Sequence, residues 1–189
     1  MLTSVVSSKA YRLLNHGPTV LITSAHNGKR NIMAAAWVCA LDFDPSKITA
    51  VIDKNTYTRE LIEAEGMFAI NIPCVAQLDM VRKVGTTCGR DLQGTDKFEK
   101  FGIETFAAQH IAAPLVSGCV GWLECRIIPE PHNQNSYDLF VAEVVAAYAD
   151  ERVFSNGRWH FEGHEDLRTI HHVAGGAFFA SGTALQASI

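Results

Sequence analysis

Residues 31–45, NIMAAAWVCALDFDP, place three consecutive alanines directly before a tryptophan. Alanine is a poor strand residue, because its methyl group gives a pleated surface little to pack against. The run is therefore either helical, or it is a strand that leaves room for something flat and bulky close to its backbone. The segments on both sides of the run favour one of these interpretations.

The flanking segments favour a strand in a hairpin. TVLITSA at 19–25 predicts a strand, and Asn27-Gly28 follows it, the dipeptide that best satisfies the positive φ angles of a tight hairpin turn. The run at 31–45 then returns as the second strand of this hairpin, although alanine alone favours a helix. The turn DFDPSK ends it, and ITAVID at 48–53 predicts a third strand.

The rest of the chain predicts more strands than helices. The predicted helices lie at 9–15, 56–65 and 75–84, and the further predicted strands lie at 67–72, 119–128 and 137–150. RVFSNGRWHF contains a second Asn-Gly turn. Strands joined by short turns, with few helices, indicate a mainly β fold: an antiparallel barrel or closed sheet with helices on its edge.

Length and composition indicate one globular domain, residues 1–189, with a sizeable core. The formal net charge of -4 excludes the basic excess that a nucleic-acid-binding surface needs. The cysteines are odd in number and form no C-x-x-C pair, which matches neither a disulfide framework nor a zinc ribbon. The chain shows neither a signal peptide nor an apolar run of membrane-spanning length, so we expect a soluble, reduced, cytoplasmic protein.

The segment DKNTYT at 53–58 joins a predicted strand to a predicted helix. A helix N-terminus presents free N–H groups and a partial positive charge, which together suit a phosphate. Lys54 adds a full charge, and Thr56 and Thr58 add hydroxyl donors at alternate positions. The alternative is an ordinary capped helix with a solvated lysine. The neighbouring alanine run favours the phosphate of a flat-ring cofactor.

The segment GTTCGRD at 85–91 is a second candidate anion site, because two glycines, two threonines and Arg90 could fold over a phosphate. It is not a P-loop, since that motif requires Lys and then Ser or Thr after its last glycine. A plain loop is the alternative interpretation.

Two pairs of histidines invite a metal or ligand interpretation. His160 and His164 are four residues apart, but Phe161 stands where an H-E-x-x-H zinc site has its glutamate, and Gly163 interrupts a helix. We therefore expect no metal site there. His172, in IHHVAGGAFF, stands near a Gly-Gly pair that lets backbone approach a ligand, although a surface histidine is the alternative.

Two common enzyme motifs are missing from the sequence. No G-x-S-x-G elbow presents a serine nucleophile, and no G-x-G-x-x-G fingerprint of a Rossmann fold follows a strand. A nicotinamide cofactor, if one is used, must therefore bind transiently and without that fold.

Taken together, these segments resemble the flavin reductase-like family of FMN-binding split barrels, which includes flavoredoxins and the reductase components of two-component monooxygenases. The similarity runs over roughly residues 15–180. It is carried, in order, by PTVLITSAHNGKRNIMAAAWVCALDFDP, KNTYTRELIEAEGMFAINIP, CGRDLQGTDKF, APLVSGCVGWLECRII, LFVAEVVAAYADE and HHVAGGAFF. The resemblance implies a split β-barrel of antiparallel, Greek-key-like connection with flanking helices, and a homodimer with FMN near the subunit interface.

The resemblance also implies where the cofactor binds. The strand at 31–37 lines the isoalloxazine ring through backbone groups, and the junction at 54–58 holds the phosphate. The implied cofactor-binding residues are Asn31, Met33, Ala34, Ala35, Ala36, Trp37, Lys54, Thr56, Thr58, Cys88, Gly89 and Arg90. Cys88 is a departure, because relatives often have serine before Gly-Arg-Asp and a thiol is a weaker hydrogen-bond donor than a hydroxyl.

The implied activity is that of an oxidoreductase in which NAD(P)H passes a hydride to the flavin, which then reduces a second acceptor. The cofactor carries this chemistry, so no general acid or base is required and no catalytic residue is named. His172 is expected to face the nicotinamide substrate. The alternatives are a flavoredoxin-like electron carrier with tightly bound FMN and protein redox partners, a ligand-binding barrel without redox turnover, and another split-barrel oxidase.

Overall fold

The structure, a computed structural model, describes residues 2–8, 10 and 18–188, which fold into an antiparallel sheet that carries short helices. In chain order the strands are β1 (Leu2–Val5), β2 (Val20–His26), β3 (Lys29–Ala35), β4 (Val38–Phe43), β5 (Ser46–Val51), β6 (Met67–Ile72), β7 (Thr105–Phe106), β8 (Leu115–Val116), β9 (Gly121–Ile128), β10 (Leu139–Asp150), β11 (Phe154–Ser155), β12 (Arg158–Trp159), β13 (Ile170–Ala174) and β14 (Ala177–Ala180). The helices are α1 (Tyr57–Glu65), α2 (Leu78–Thr86), α3 (Lys97–Phe101) and α4 (Pro131–Tyr137). The helix predicted at 9–15 falls outside the described residues, except for Ala10.

The order of the strands shows why the sheet curls. The main sheet has 8 strands in the order β3-β2-β6-β9-β10-β5-β4, with β1 added alongside β10. The two ends of this order, β3 and β4, are consecutive in the chain and are separated by Ala36 and Trp37. Because a chain advances at most about 3.6 Å per residue, the two edges of the sheet must approach each other at this corner. The predicted mainly β barrel with flanking helices is confirmed.

The stretch at 31–45 forms two strands and not one. β3 ends before Ala36, and β4 pairs with β5 across a turn at Asp44-Pro45. The prediction of a strand in this stretch is therefore correct, but the prediction that it is one continuous strand is wrong. Alternation along a sequence cannot show where a strand changes its neighbours, because the corner is set by closure of the sheet.

Both predicted Asn-Gly turns are confirmed. Asn27 and Gly28 join β2 to β3 with φ angles of 48° and 74°. Asn156 and Gly157 join β11 to β12 with φ angles of 50° and 74°. A two-residue hairpin turn of this kind requires positive φ at both positions, which asparagine and glycine tolerate best.

Two predicted helices are confirmed with small changes in their limits. Thr56 precedes α1, and its side chain accepts a hydrogen bond from the Arg59 N–H, as expected of an N-cap. Gly66 ends this helix with a φ of 76°. A short 3-10 turn at Val75–Gln77 precedes α2, and α2 continues to Thr86, into the segment predicted to be a loop.

Two short helices were not predicted, because α3 begins at the end of a segment predicted to be a loop and α4 lies in the connection between two predicted strands. The side chain of Asp96 caps α3 by accepting from the Glu99 N–H, and Gly102 ends this helix with a φ of 62°. This pairing of an N-cap residue with a glutamate three positions later is a recognised signal for a helix start. Pro131 stands in the first turn of α4, where proline is favoured.

The sheet buries apolar side chains on both of its faces. On the inner face, Ile22 packs with Phe68 inside the barrel. On the outer face, Leu21 packs with Val84 of α2 and Phe98 of α3. Successive strand residues point to opposite faces, so the same strands serve both clusters. This sharing supports the prediction of one domain over residues 1–189, which stays a prediction.

Candidate functional site

A cleft of about 340 Å³, which we call the main cleft, lies beside β3. Its floor is formed by Asn31, Met33 and Ala34 of β3. The first turn of α1 and the residue before its cap, 55–58, form one wall, and the end of α2 with the following loop, 84–89, forms the other. One strand, one helix N-terminus and one glycine-containing loop therefore meet around a single space.

A second cavity of about 180 Å³, the hairpin pocket, adjoins the main cleft and shares Ala34, Gly85 and Thr86 with it. Ala35 and Ala36 continue its floor, and the β13–β14 hairpin contributes a further wall. The two spaces together form one groove along the alanine run, from the N-terminus of α1 to this hairpin.

The alanines keep this groove open. Ala34 packs in the outer cluster, and a Cβ atom added to Gly85 of α2 would lie 3.3 Å from the Cβ atom of Ala34. Met33 and Ala35 pack instead against the barrel core. A larger side chain at Ala34 or Gly85 would fill the groove. The helical interpretation of the alanine run is wrong, and there is room beside its backbone.

The outer edge of β3 presents backbone groups to the groove. In a two-residue hairpin the residues that flank the turn, here His26 and Lys29, form a hydrogen-bonded pair, and non-hydrogen-bonded and hydrogen-bonded pairs then alternate along the strands. Ile32 and Ala34 fall in non-hydrogen-bonded pairs, so their N–H and C=O groups point away from β2. The hydrogen bond of 2.8 Å from the Lys97 ammonium to the Ile32 carbonyl agrees with this direction.

Two of the predicted phosphate ligands, Thr56 and Thr58, lie in the main cleft. The Thr56 hydroxyl donates to the Asp53 carbonyl over 2.8 Å and accepts from the Arg59 N–H over 3.3 Å. The buried Thr58 hydroxyl accepts from Asn31 Nδ2 over 2.8 Å. Both hydroxyl groups therefore have protein partners: the Thr56 hydroxyl caps α1, and the Thr58 hydroxyl joins α1 to β3.

Two of the predicted cationic ligands lie outside the lining of the main cleft. Lys54 is exposed in the turn before α1. The Arg90 guanidinium donates to the Asn55 carbonyl over 2.7 Å and to the Glu60 carboxylate over 3.0 Å, which ties its loop to α1. Their predicted contact with a cofactor stays a prediction.

The loop after α2 approaches the floor of the cleft too closely for a side chain at Gly89. A Cβ atom at this position would overlap the Asn31 side-chain oxygen and lie 3.0 Å from the Tyr57 ring. Cys88 is an exposed free cysteine that lines the cleft. Both residues were predicted from the sequence, and the close approach gives the physical reason for the glycine.

Lys97 lines the main cleft and was not predicted. It stands at the start of α3 and is 3% exposed. Its ammonium donates to the Ile32 carbonyl over 2.8 Å and to the Val84 carbonyl over 3.0 Å. Burial lowers the pKa of this ammonium to about 8, with a smaller opposing effect from Cys88. The sequence feature that could have pointed to Lys97 is its position at the start of a helix, directly after a glycine-rich loop.

His172 lies in the hairpin pocket, beside the alanine run. Its backbone N–H donates to the Thr19 hydroxyl over 2.8 Å, and its ring meets the Phe178 ring edge-on at 5.2 Å between centroids. Arg82 of α2, which was not predicted, donates to the Gly175 carbonyl at the tip of the hairpin. These contacts hold the hairpin over the groove, and the role predicted for His172 stays a prediction.

Trp37 lies at the corner between β3 and β4 and is 75% exposed, outside the lining of both spaces. Leu41 and Phe43 of β4 are also exposed, although a bulge between Ala40 and Asp42 interrupts the alternation of side chains along this strand. The predicted contact of Trp37 with the isoalloxazine stays a prediction.

In the described part of the chain, no three histidine, cysteine or carboxylate side chains are grouped so as to hold a metal ion. His160 Nε2 is hydrogen-bonded to the Ser155 hydroxyl over 2.9 Å. No helix in the described ranges combines the length and the apolar character that crossing a bilayer requires.

The groove fits a flat, phosphorylated ring. A ring can lie along the alanines, where the outward N–H of Ala34 can donate a hydrogen bond to it and the outward C=O can accept one. A phosphate is favoured where the N–H groups of a helix N-terminus and a positive charge converge, here at α1 and Lys97. The residues present therefore suit the FMN that the resemblance implies.

Comparisons with known proteins agree with this geometry. A family model described as "Flavin reductase like domain" matches residues 12–167. The uncharacterized protein YddH of Escherichia coli (strain K12) is 47% identical over 181 residues, which cover 94% of this chain and 94% of that protein.

Two solved structures are similar in fold. The crystal structure of an FMN-binding domain of flavin reductases-like enzyme from Shewanella baltica OS155 has a TM-score of 0.95 and 49% identity, and the match covers 100% of this chain and 98% of that one. Flavoredoxin from Methanosarcina acetivorans has a TM-score of 0.72 and 25% identity, with 90% and 88% covered. Since the domain match spans most of the sequence and a relative of near-equal length is almost half identical, the chain belongs to the flavin reductase-like domain family.

Proposed function

We propose that the protein binds FMN in the groove along β3 and acts as an NAD(P)H-dependent flavin oxidoreductase. The observation that carries this proposal is the groove itself, where small side chains at Ala34 and Gly85 leave the edge of β3 accessible. The relative from Shewanella baltica, described as an FMN-binding domain, supports the choice of flavin.

The residues of the chain divide the groove into a ring end and a phosphate end. The alanine run would hold the ring, through the backbone N–H and C=O groups of Ala34. The N-terminus of α1, with Thr56 and Thr58, would hold the phosphate. These residues would fix the flavin along the strand and leave the hairpin pocket for a substrate.

When bound, FMN supplies the redox chemistry by accepting a hydride from NAD(P)H and passing the electrons to a second acceptor. We place the nicotinamide in the hairpin pocket, between the alanines and His172. Arg82 and Thr19 hold the hairpin in position, through the Gly175 carbonyl and the His172 N–H respectively. These residues orient the substrate and exclude water, and none of them needs to transfer a proton.

We also propose that the protein is a homodimer formed through the exposed edge at β4. Trp37, just before this edge strand, is 75% exposed, and Leu41 and Phe43 within it are 53% and 65% exposed. A single edge strand with large exposed apolar side chains is a surface that another chain can cover. This face begins at the corner where the groove opens, so a second copy bound there would close the ring end of the site.

The test is the visible absorption spectrum of the purified protein, followed by oxidation of NADH and NADPH with and without added flavin. We expect the two absorption bands of bound FMN and turnover of one or both nicotinamides. A protein that binds no flavin at all would overturn the proposal.

A flavoredoxin-like electron carrier is the second candidate, favoured by the similar fold of the Methanosarcina acetivorans flavoredoxin. Such a protein would keep FMN through purification and exchange electrons with protein partners. Bound FMN without oxidation of either nicotinamide would select this function over the first. A yellow protein inert towards reductants and oxygen would indicate a binding barrel without turnover.

A further inference from the structure

Arg82 brings a positive charge to the hairpin pocket, at the end of the groove away from α1. It lies on α2, is exposed and lines this pocket. Its Nη1 atom donates to the Gly175 carbonyl at the tip of the β13–β14 hairpin. A Cβ atom added to Gly176 would lie 3.1 Å from Arg82 Cζ, so this glycine lets the guanidinium lie against the backbone of the tip.

The described residues do not neutralise the charge of Arg82. A guanidinium has five N–H donors, and the described part of the chain offers them one acceptor, the Gly175 carbonyl. No carboxylate within the described ranges forms an ion pair with this residue. Most of its N–H groups are therefore available to a ligand.

The described lining of the hairpin pocket carries no negative charge. It combines small and apolar side chains with two threonine hydroxyl groups, and the groups in it that can be positively charged are Arg82 and His172. The chain as a whole has a formal net charge of -4, so this local charge is opposite in sign to that of the protein. A cleft with one sign of charge raises the local concentration of a substrate of the opposite sign.

The hairpin pocket is too small for a whole dinucleotide. Its volume is about 180 Å³, whereas pockets that enclose a drug-sized ligand have about 300 Å³ or more. A nicotinamide ring can enter, but the rest of the molecule must leave past the rim, where Arg82 is exposed. The diphosphate bridge follows the nicotinamide after a single ribose, so it is the first charged group to reach this rim.

We propose that Arg82 binds the diphosphate bridge of the nicotinamide dinucleotide and so selects a phosphorylated hydride donor for the hairpin pocket. This inference rests on the proposed function, because it names the part of the substrate that the same site recognises. A planar guanidinium presents two parallel N–H groups to phosphate oxygens, which an ammonium cannot do. The bond to the Gly175 carbonyl positions the guanidinium before the substrate arrives, which reduces the entropy lost on binding.

The test compares NADH with dihydronicotinamide riboside, which has the same reacting ring and no phosphate, in steady-state oxidation by the FMN-loaded protein. Arg82→Gln should raise the ratio of the KM for NADH to the KM for the riboside by about three- to ten-fold, a modest factor because solvent screens an exposed charge. A purely structural role, through the hairpin, would change both KM values alike, and an unchanged ratio would overturn the proposal. Lys83→Gln is the matched control and should leave the ratio unchanged, because Lys83 is the adjacent exposed cation of α2 and does not line the pocket.

A binding measurement tests the same contact without turnover. ADP-ribose contains the diphosphate bridge and lacks nicotinamide, and its binding to the FMN-loaded protein is measured by calorimetric titration. It should bind the wild type about three- to ten-fold more tightly than Arg82→Gln. Arg82→Lys keeps the charge without the planar fork, so its affinity should lie between these two. Equal affinities of the wild type and Arg82→Gln would refute the role of Arg82.

NADPH separates the two sources of negative charge that a dinucleotide offers. The diphosphate bridge is common to NADH and NADPH, so Arg82→Gln should raise both KM values by the same factor. A rise confined to NADPH would assign Arg82 to the 2′-phosphate and overturn the diphosphate assignment, while leaving the proposed function in place. Wild-type protein that binds no flavin, or that oxidises neither the dinucleotides nor the riboside, would remove the proposed function itself and this inference with it.

Discussion

The flavin-free protein should become more stable as the pH rises through the alkaline range, because of Lys97. Burial lowers the pKa of its ammonium from 10.5 to about 8 in the folded protein, whereas the unfolded chain keeps the ordinary value. Between these two values the folded protein has released a proton that the unfolded chain retains. Since the unfolded state then binds more protons, the free energy of unfolding rises with pH in this window.

The size of the effect follows from the two pKa values. A pKa difference of one corresponds to about 1.36 kcal/mol, so the fall from 10.5 to about 8 sets an upper limit of about 3 kcal/mol. Most of this develops before the unfolded chain begins to lose its own proton. We therefore expect a rise of about 2 kcal/mol between about pH 7 and about pH 10.

Other groups around Lys97 must be separated from this effect. The titratable or charged residues that line, together with it, the main cleft or the adjoining cavity of about 280 Å³ are Lys29, Arg30, Tyr57, Cys88, Asp96 and Glu99. Cysteine and tyrosine lose protons in the same alkaline range. The difference between the wild type and Lys97→Met, measured at each pH, cancels their common contribution.

The assay is urea unfolding of flavin-free wild type and Lys97→Met across this range. The wild type should gain stability relative to the variant as the pH rises. Bound FMN should keep Lys97 protonated, so FMN affinity should fall above about pH 8 while riboflavin affinity does not. Parallel stability profiles for the two proteins would refute the reasoning, because they would mean that Lys97 titrates alike in both states.

Ala34→Leu should weaken FMN binding, because the larger side chain would occupy the groove. Ala35→Leu should instead overpack the barrel core, which typically lowers the free energy of unfolding by about 1–3 kcal/mol and so lowers the melting temperature. Flavin titration and thermal unfolding of the pair check this, and a reversed pattern would contradict the register of β3. Gly89→Ala should weaken FMN binding, since its Cβ atom would displace Asn31; an unaltered titration would contradict this. Trp37→Ser should shift the proposed homodimer towards monomer in sedimentation velocity, and a wild type that sediments as a monomer would refute the proposed dimer.

Much of the local structure could be predicted from the sequence, because its causes lie within a few residues. Asn27-Gly28 determines its hairpin through the φ angles that these two residues tolerate. Thr56 begins α1 because its hydroxyl accepts from an N–H only three residues on. The alanine run likewise indicated a space beside its own backbone, and the groove is there.

The composition of the site was less predictable, because it depends on which distant segments meet. Thr56, Thr58 and Gly89 line the same cleft, where a Cβ atom at Gly89 would meet the side chains of Asn31 and Tyr57. Lys54 and Arg90 are positively charged and adjoin the segments that line the cleft, yet they lie outside the lining themselves. A sequence shows that a cation is near a helix start, but not which way its side chain is directed.

The sequence by itself determined the hairpins, the cap of α1 and the small residues along β3. Only the tertiary structure decided that the stretch at 31–45 turns a corner, and that Lys97 is buried beside it. The hydrogen bond from Lys97 to Ile32 joins residues 65 positions apart, and the corner exists because β3 and β4 lie at opposite ends of one curled sheet. Turn and cap preferences act through the nearest few residues, whereas burial of a charge and closure of a barrel depend on contacts that form only when the whole sheet has assembled.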